Sequence, residues 1–157
     1  MRVGQGFDAH RLVAGRRLTL GGLEIDHDHG LEGHSDGDVL LHAIASALLG
    51  AIGDGDLGEH FPSSDPDLAG IASGVILGRV MEKVRARGLA VANLDSTLIA
   101  QAPRLGPLRE KIVASVADLL GVPRERVSVK VTSTDRLGAI GRGEGIAASA
   151  LVLLEDA

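Results

Sequence analysis

Residues 2–10 read RVGQGFDAH, and the reading of this run as an extended strand sets the rest of the fold. Successive side chains of a strand alternate between faces, so Gly4, Gly6, Asp8 and His10 share one face. Asp8 and His10 then project together, and the two glycines beside them predict open room for a substrate. A second segment, HSDGDVLLH at 34–42, reads as the start of a helix and ends on His42. A carboxylate and an imidazole from one element with a third donor from another is what an open, three-ligand metal site requires.

Composition bounds what such a site can belong to. A chain of 157 residues with 45% apolar content fits one domain, 1–157, with a buried core. Neither a charged leader followed by an apolar run nor an apolar stretch near the roughly 20 residues of a spanning helix is present. The expectation is a cytoplasmic protein without a membrane partner, or a plastid one if a transit peptide has been removed. The absence of cysteine excludes disulfide scaffolds, thiolate zinc sites, iron–sulfur clusters and cysteine nucleophiles, so any metal must be held by imidazole and carboxylate. A net charge of −5, with two Phe and no Trp or Tyr, argues against a nucleic-acid partner, which needs a basic face or stacking platforms. Glycine, at 22 residues, is well above the usual share of about 7% and clusters at element ends, where it marks tight turns and close approaches.

Outward from the first strand, periodicity and punctuation predict a hairpin-like stretch at 17–25 around Gly21 and Gly22, then a helix at 36–50. The loop GDGDLGEHFPSSDPDLAG follows, leading into a helix at 70–87 closed by Gly88. A strand at 90–100 precedes QAPR, where Pro103 stops the ladder. Leu108, Ile112, Val116, Leu119 and Leu120 recur at helical spacing across 105–120, with Gly121 as the stop. VSVKVTSTD is the next strand and 144–155 the last. Strands separated by helices of this length predict an α+β fold, a ferredoxin-like (split βαβ) mixed sheet with helices mainly on one face.

In the helix at 36–50, Ser35, Asp38, His42 and Ser46 form one polar stripe, while Leu40, Leu41, Ile44 and Leu48 face elsewhere. Ser35 as N-cap with Asp38 at N3 is an acidic variant of the capping box, and capping alone would explain both. A lone helical histidine is more often a satisfied interior group than a ligand, and it is the Asp8–His10 pair that raises the case for His42. His27 and His29, in IDHDHG, are a rival pair read as surface loop residues. His60 lacks a partner at metal spacing, and His34 opens the helix beside the site. VTSTD at 131–135 and GRGEG at 141–145 offer hydroxyls and free N–H groups suited to phosphate, although a threonine-rich strand and a turn would account for them equally.

Taken in order, GFDAH (6–10), HSDGDVLLHA (34–43), GDGDLGEHFP (53–62), IAQAPR (99–104), VKVTSTDRLG (129–138) and GRGEGIA (141–147) resemble the 2-C-methyl-D-erythritol 2,4-cyclodiphosphate synthases of the non-mevalonate isoprenoid pathway. The resemblance spans nearly the whole chain. It implies a phosphorus–oxygen lyase in which the 2-phosphate of 4-diphosphocytidyl-2-C-methyl-D-erythritol 2-phosphate attacks its own β-phosphate, releasing CMP. It further implies Zn2+ on Asp8, His10 and His42, and Mg2+ or Mn2+ with the substrate diphosphate at Asp135, where the family usually has Glu.

By the same resemblance no protein nucleophile acts, with Thr134 and Asp135 positioning the phosphates and Thr132, Ser133 and Thr134 holding them. His34 and Ser35 grip the attacking phosphate, and Asp56 contacts the methylerythritol hydroxyls near Gly58. Ser63 stands where Asp is usual, with Asp65 nearby. The cytosine pocket falls on Ala100, Ala102, Pro103, Arg104 and Leu105. The family is a homotrimer with active sites between subunits. Some members hold an isoprenoid diphosphate on the threefold axis with an arginine matching Arg142, and here Ala139 replaces an aromatic residue beside it. Two other classes remain open from sequence, a metal-dependent phosphoester hydrolase using Asp38, Asp54 or Asp56 as base, and a nucleotide- or isoprenoid-diphosphate-binding trimer without turnover.

Overall fold

The computed structural model describes residues 1–157. Strand β1 runs Arg2–Ala14, four residues beyond the predicted end, and is followed by β2 (Leu18–Leu20) and β3 (Leu23–Ile25). Those two form the expected hairpin, paired Leu18 to Ile25 and Leu20 to Leu23. Gly21 and Gly22 make its two-residue turn at φ 61° and 79°, a conformation glycine adopts without a Cβ clash. Strand β4 (His29–Leu31) pairs antiparallel with the end of β1, so His29 begins a strand and does not lie in a loop. Helix α1 (Val39–Ile52), the single turn α2 (Leu57–His60), α3 (Ser73–Ala86) and strand β5 (Leu89–Ile99) follow. Then come α4 (Arg109–Leu120), β6 (Val127–Thr132), the short α5 (Gly138–Gly141) and β7 (Gly145–Asp156). The stretch read as loop after residue 53 thus contains α2 and a 3-10 turn at Pro66–Leu68, and α3 starts three residues later than predicted.

The main sheet has the order β4-β1-β7-β5-β6. β7 is antiparallel to both β1 and β5, and β6 is parallel to β5, its crossover being α4. This is a mixed α+β architecture. Even-numbered side chains of β5 and β7, among them Leu94, Leu98, Ile146, Ala148, Val152 and Leu154, are buried toward the helices. The opposite face leaves Val3, Phe7 and Leu151 exposed.

Two expectations fail here, each for a packing reason. The room predicted beside Gly4 and Gly6 is filled by α1. A Cβ at Gly4 would lie 1.9 Å from the Ala47 carbonyl oxygen, and one at Gly6 1.9 Å from that of Ala43. The glycines bring backbone against backbone, with Ala43, Ala47 and Ala51 as the matching small residues on the helix, and leave no substrate space. Ser35 is not the N-cap. Asp38 caps α1, its carboxylate accepting from the Leu41 N–H and also from the Gly21 and Gly22 N–H groups of the hairpin turn. Because the sheet, the hairpin and α3 enclose it, α1 is buried nearly all round and has no solvent-facing polar stripe.

Candidate metal centre and adjoining cleft

Close packing of α1 on the glycines determines where His42 ends up. The helix runs back along β1, so Ala47 and Ala43 meet Gly4 and Gly6, and His42 at the next level meets Asp8 and His10. Asp8 Oδ2 lies 2.7 Å from His10 Nε2 and 3.0 Å from His42 Nδ1, and the two imidazole nitrogens are 3.2 Å apart. Three donor atoms from two elements therefore converge on one point, one carboxylate oxygen and two imidazole nitrogens. This donor set suits a borderline ion such as zinc.

The far nitrogens of both rings are tied back. His10 Nδ1 donates to the Glu32 carbonyl at 2.5 Å, while His42 Nε2 faces the hydroxyls of Ser73 at 2.9 Å and Ser35 at 3.1 Å. Such outer contacts fix ring orientation in metal sites. Partial burial pushes the Asp8 carboxyl up, but the imidazoles of His10 and His42 set against it outweigh that and hold the group well below the ordinary carboxylate range. The contact with Asp8 in turn raises His10 above its ordinary value, against the opposing effect of burial. Asp38 behaves oppositely: burial pushes it up to about 6 although three backbone N–H groups pull it down.

A cleft of about 290 Å³ opens onto this centre, lined by His10, His34, Ser35, His42, Gly58 and Ser63, with an apolar wall of Leu57, Phe61, Leu68, Ile71 and Ile76. His34 Nε2 donates to the Asp65 carbonyl at 3.2 Å, tying the loop before α1 to the segment after α2. Arg16 braces the same loop through the Gly33 and Ser35 carbonyls. Asp56 caps α2 and Asp65 caps the following 3-10 turn, and neither carboxylate lines the cleft. His60 sits against Asp54, which Lys83 and Arg87 also engage, so its setting is structural. His27 and His29 flank Asp28 in a second cluster whose carboxylate side chain is 80% exposed.

The remaining sequence-predicted residues lie elsewhere. Ala100, Pro103, Arg104, Leu105, Thr132 and Ser133 line a separate cleft of about 250 Å³ at the ends of β5 and β6, with no lining residue in common with the first. Ala102 precedes Pro103 through a cis peptide and is not part of that lining. Thr134 donates to the Leu137 carbonyl at 2.7 Å, and Asp135 is an exposed residue at φ 50° whose N–H donates to Ser133 Oγ. Arg142 is exposed and paired with Glu144, next to exposed Ala139. β1 and β6 are three strand spacings apart, about 14 Å. Thr132 follows Ser128 and Lys130 on the sheet face opposite α1, whereas Asp8 and His10 are on the α1 face.

A sequence model described as the YgbB family matches residues 1–155. The 2-C-methyl-D-erythritol 2,4-cyclodiphosphate synthase of Thiobacillus denitrificans is 56% identical over 155 residues, covering 99% of this chain and 97% of that protein. A solved 2C-methyl-D-erythritol-2,4-cyclodiphosphate synthase in its CDP-bound form superposes with a TM-score of 0.91 at 40% identity, covering 98% of this chain and 100% of that one. The bifunctional IspDF from Campylobacter jejuni superposes with a TM-score of 0.95 at 38% identity, over 99% of this chain and 42% of its own length.

Proposed function

The chain belongs to the YgbB family, and from that premise we propose how its clefts carry out the 2-C-methyl-D-erythritol 2,4-cyclodiphosphate synthase activity of its relatives. The substrate is 4-diphosphocytidyl-2-C-methyl-D-erythritol 2-phosphate. An oxygen of its 2-phosphate forms a bond to the β-phosphorus, the bond from that phosphorus to the oxygen of the cytidylyl phosphate breaks, and CMP leaves with the electron pair. No protein nucleophile is required. The chain has to fold an anionic molecule onto itself, align attacker and leaving oxygen, and meet the charge at phosphorus.

Asp8, His10 and His42 would hold zinc, and their convergence is the single observation that carries this reading. A zinc ion bound there supplies Lewis-acid stabilisation of a phosphate oxygen. His34 and Ser35, lining the same cleft, hold the attacking phosphate, while Gly58 and Ser63 line the path of the methylerythritol unit toward Asp56 and Asp65. The apolar wall excludes water, which favours ring closure over hydrolysis. The cytidine occupies the second cleft, between Ala100–Leu105 and Thr132–Ser133, with Thr134 and Asp135 at the diphosphate. Asp135 offers a single carboxylate, so Mg2+ or Mn2+ there would rely mainly on substrate oxygens and water.

The two clefts share no lining residue and sit on strands three spacings apart, and this supports sharing each substrate between copies. The exposed Val3, Phe7 and Leu151 on the helix-free face suit burial against other copies, in keeping with a homotrimer. We read residues 1–157 as one catalytic domain of ferredoxin-like, split βαβ type, because β1 and β5 run the same way on either side of β7. The activity is that of a cytoplasmic phosphorus–oxygen lyase of isoprenoid biosynthesis. No helix is long and apolar enough to cross a membrane. Incubation with the substrate, followed by phosphorus NMR, tests the reaction: cyclic diphosphate in step with CMP is expected, and linear phosphate products would assign a hydrolase instead.

A further inference from the structure

Asp36 and Ser73 belong to neither cleft's lining, yet they reach the metal centre through His42. Ser73 opens α3, is fully buried, and follows Ala72, which has no side chain able to cap the helix. Asp36 fills that gap from 37 residues away. Its Oδ2 accepts the Ser73 N–H at 2.9 Å and its Oδ1 accepts the Ser73 hydroxyl in a short contact, while the Asp38 N–H donates to Oδ1 at 3.1 Å. A serine hydroxyl has one hydrogen. Once that hydrogen is committed to the carboxylate, only a lone pair of Ser73 Oγ is left to face His42 Nε2 at 2.9 Å.

From this we infer that Asp36 and Ser73 are positioning residues that fix the tautomer of His42 for metal binding, an inference that rests on the zinc reading of the Asp8–His10–His42 cluster. His42 Nε2 carries the hydrogen and donates it to Ser73, which strips Nδ1 and turns its lone pair toward Asp8 Oδ2 at 3.0 Å. Two lone-pair atoms at that distance repel unless a cation lies between them, so the relay also favours an occupied centre. The negative charge of Asp36 strengthens Ser73 Oγ as an acceptor, and so holds the ring hydrogen on His42 Nε2.

Ser35 supplies the competing arrangement. Its hydroxyl is 3.1 Å from His42 Nε2 and accepts the Gly37 N–H, which leaves its own hydrogen free. Without Ser73, Ser35 donates that hydrogen to His42 Nε2, the ring proton moves to Nδ1, and a metal ligand is lost. With Ser73 in place the Ser35 hydrogen points into the cleft it lines, available to a phosphate oxygen.

The test uses the full chain, with zinc titrated against a chelator and the His42 ring read by long-range proton–nitrogen NMR before and after zinc removal. In the unsubstituted protein the metal-free neutral ring should carry its proton on Nε2. Ser73→Ala should shift protonation toward Nδ1 and weaken zinc binding roughly 10–100-fold, the range for loss of an outer partner. Ser73→Thr, which keeps the hydroxyl, should restore both. If Ser73→Ala does not fold, Asp36→Asn should move the same two readouts in the same direction. The inference stands only if both move; an unchanged tautomer or zinc affinity within threefold of the unsubstituted protein overturns it. Failure of the unsubstituted protein to bind zinc sinks the metal reading itself, a result distinct from equal binding by protein and variant.

Discussion

The two clefts differ in how much of their geometry one chain supplies. At the first, every donor is held twice: Asp8 and His10 by strand alternation and α1 packing, and His42 by a buried helix and two serine hydroxyls. At the second, Thr132, Ser133 and Asp135 are exposed, Thr134 is half-buried, and all four are bonded mostly to their own neighbours in sequence. A metal centre must be rigid before its ion arrives, because lone pairs have to meet at one point. A nucleotide pocket made from backbone and short side chains can be completed by its ligand and by a neighbouring subunit. The contrast teaches that preorganisation is concentrated where the protein's own donors must meet at one point and is looser where short side chains meet a flexible ligand.

Substitutions in the two regions should therefore differ in kind, and His42→Ala sharpens the contrast most. It should abolish stoichiometric zinc, measured by metal analysis, and lower kcat for CMP release by more than about 10²-fold, beyond what loss of an outer partner costs, while the fold persists. Gly6→Ala comes next. The added Cβ meets the Ala43 carbonyl, so α1 must lift off the sheet, at about 3 kcal/mol of stability in urea unfolding. Weaker zinc retention should accompany that loss, which ties the metal centre to glycine packing. A variant with unchanged stability and zinc affinity would break the link.

Ser133→Ala, in the second cleft, should leave urea stability and zinc content alone and raise KM for the substrate roughly tenfold, about the 1–1.5 kcal/mol of one hydrogen bond. An equal fall in kcat would mean that the Ser133 hydroxyl acts at the transition state and not in ground-state binding alone. The smallest effect concerns Asp38, whose pKa is raised to about 6 in the folded chain. The protonated carboxyl is favoured by folding, so its contribution to stability is complete below the ordinary carboxylate range and is lost as pH rises through about 6. The thermal midpoint of the protein relative to Asp38→Asn should accordingly fall between pH 4 and 8, and a flat difference would place the charged form at no disadvantage.

Much of the first region was legible in residues 2–10 and 34–42, because a strand with period two aligns Asp8 with His10 and a helix carries His42 to them. Gly21–Gly22 and Gly121 likewise announced a hairpin turn and a helix stop by local chemistry alone. The glycines at 4 and 6 misled, since a bare strand face reads the same whether a substrate or a helix backbone fills it. Ser35 and Asp38 are both competent caps, and the choice fell to Asp38 through the N–H groups of a hairpin some 16 residues away in sequence. Asp36 and Ser73 left no local trace, being joined only by the packing of α3 against the loop before α1. The separation of the clefts across the sheet required the strand order, which no single motif encodes.

Crystals grown with zinc and CDP, measured at the zinc absorption edge, test the central claim most directly. One anomalous peak per chain is predicted, about 2.0–2.2 Å from Asp8 Oδ2, His10 Nε2 and His42 Nδ1, with the nucleotide's phosphates toward it and its cytosine in the Ala100–Leu105 cleft of another copy. Absence of a peak there, or a nucleotide bound wholly within one chain, would contradict the account.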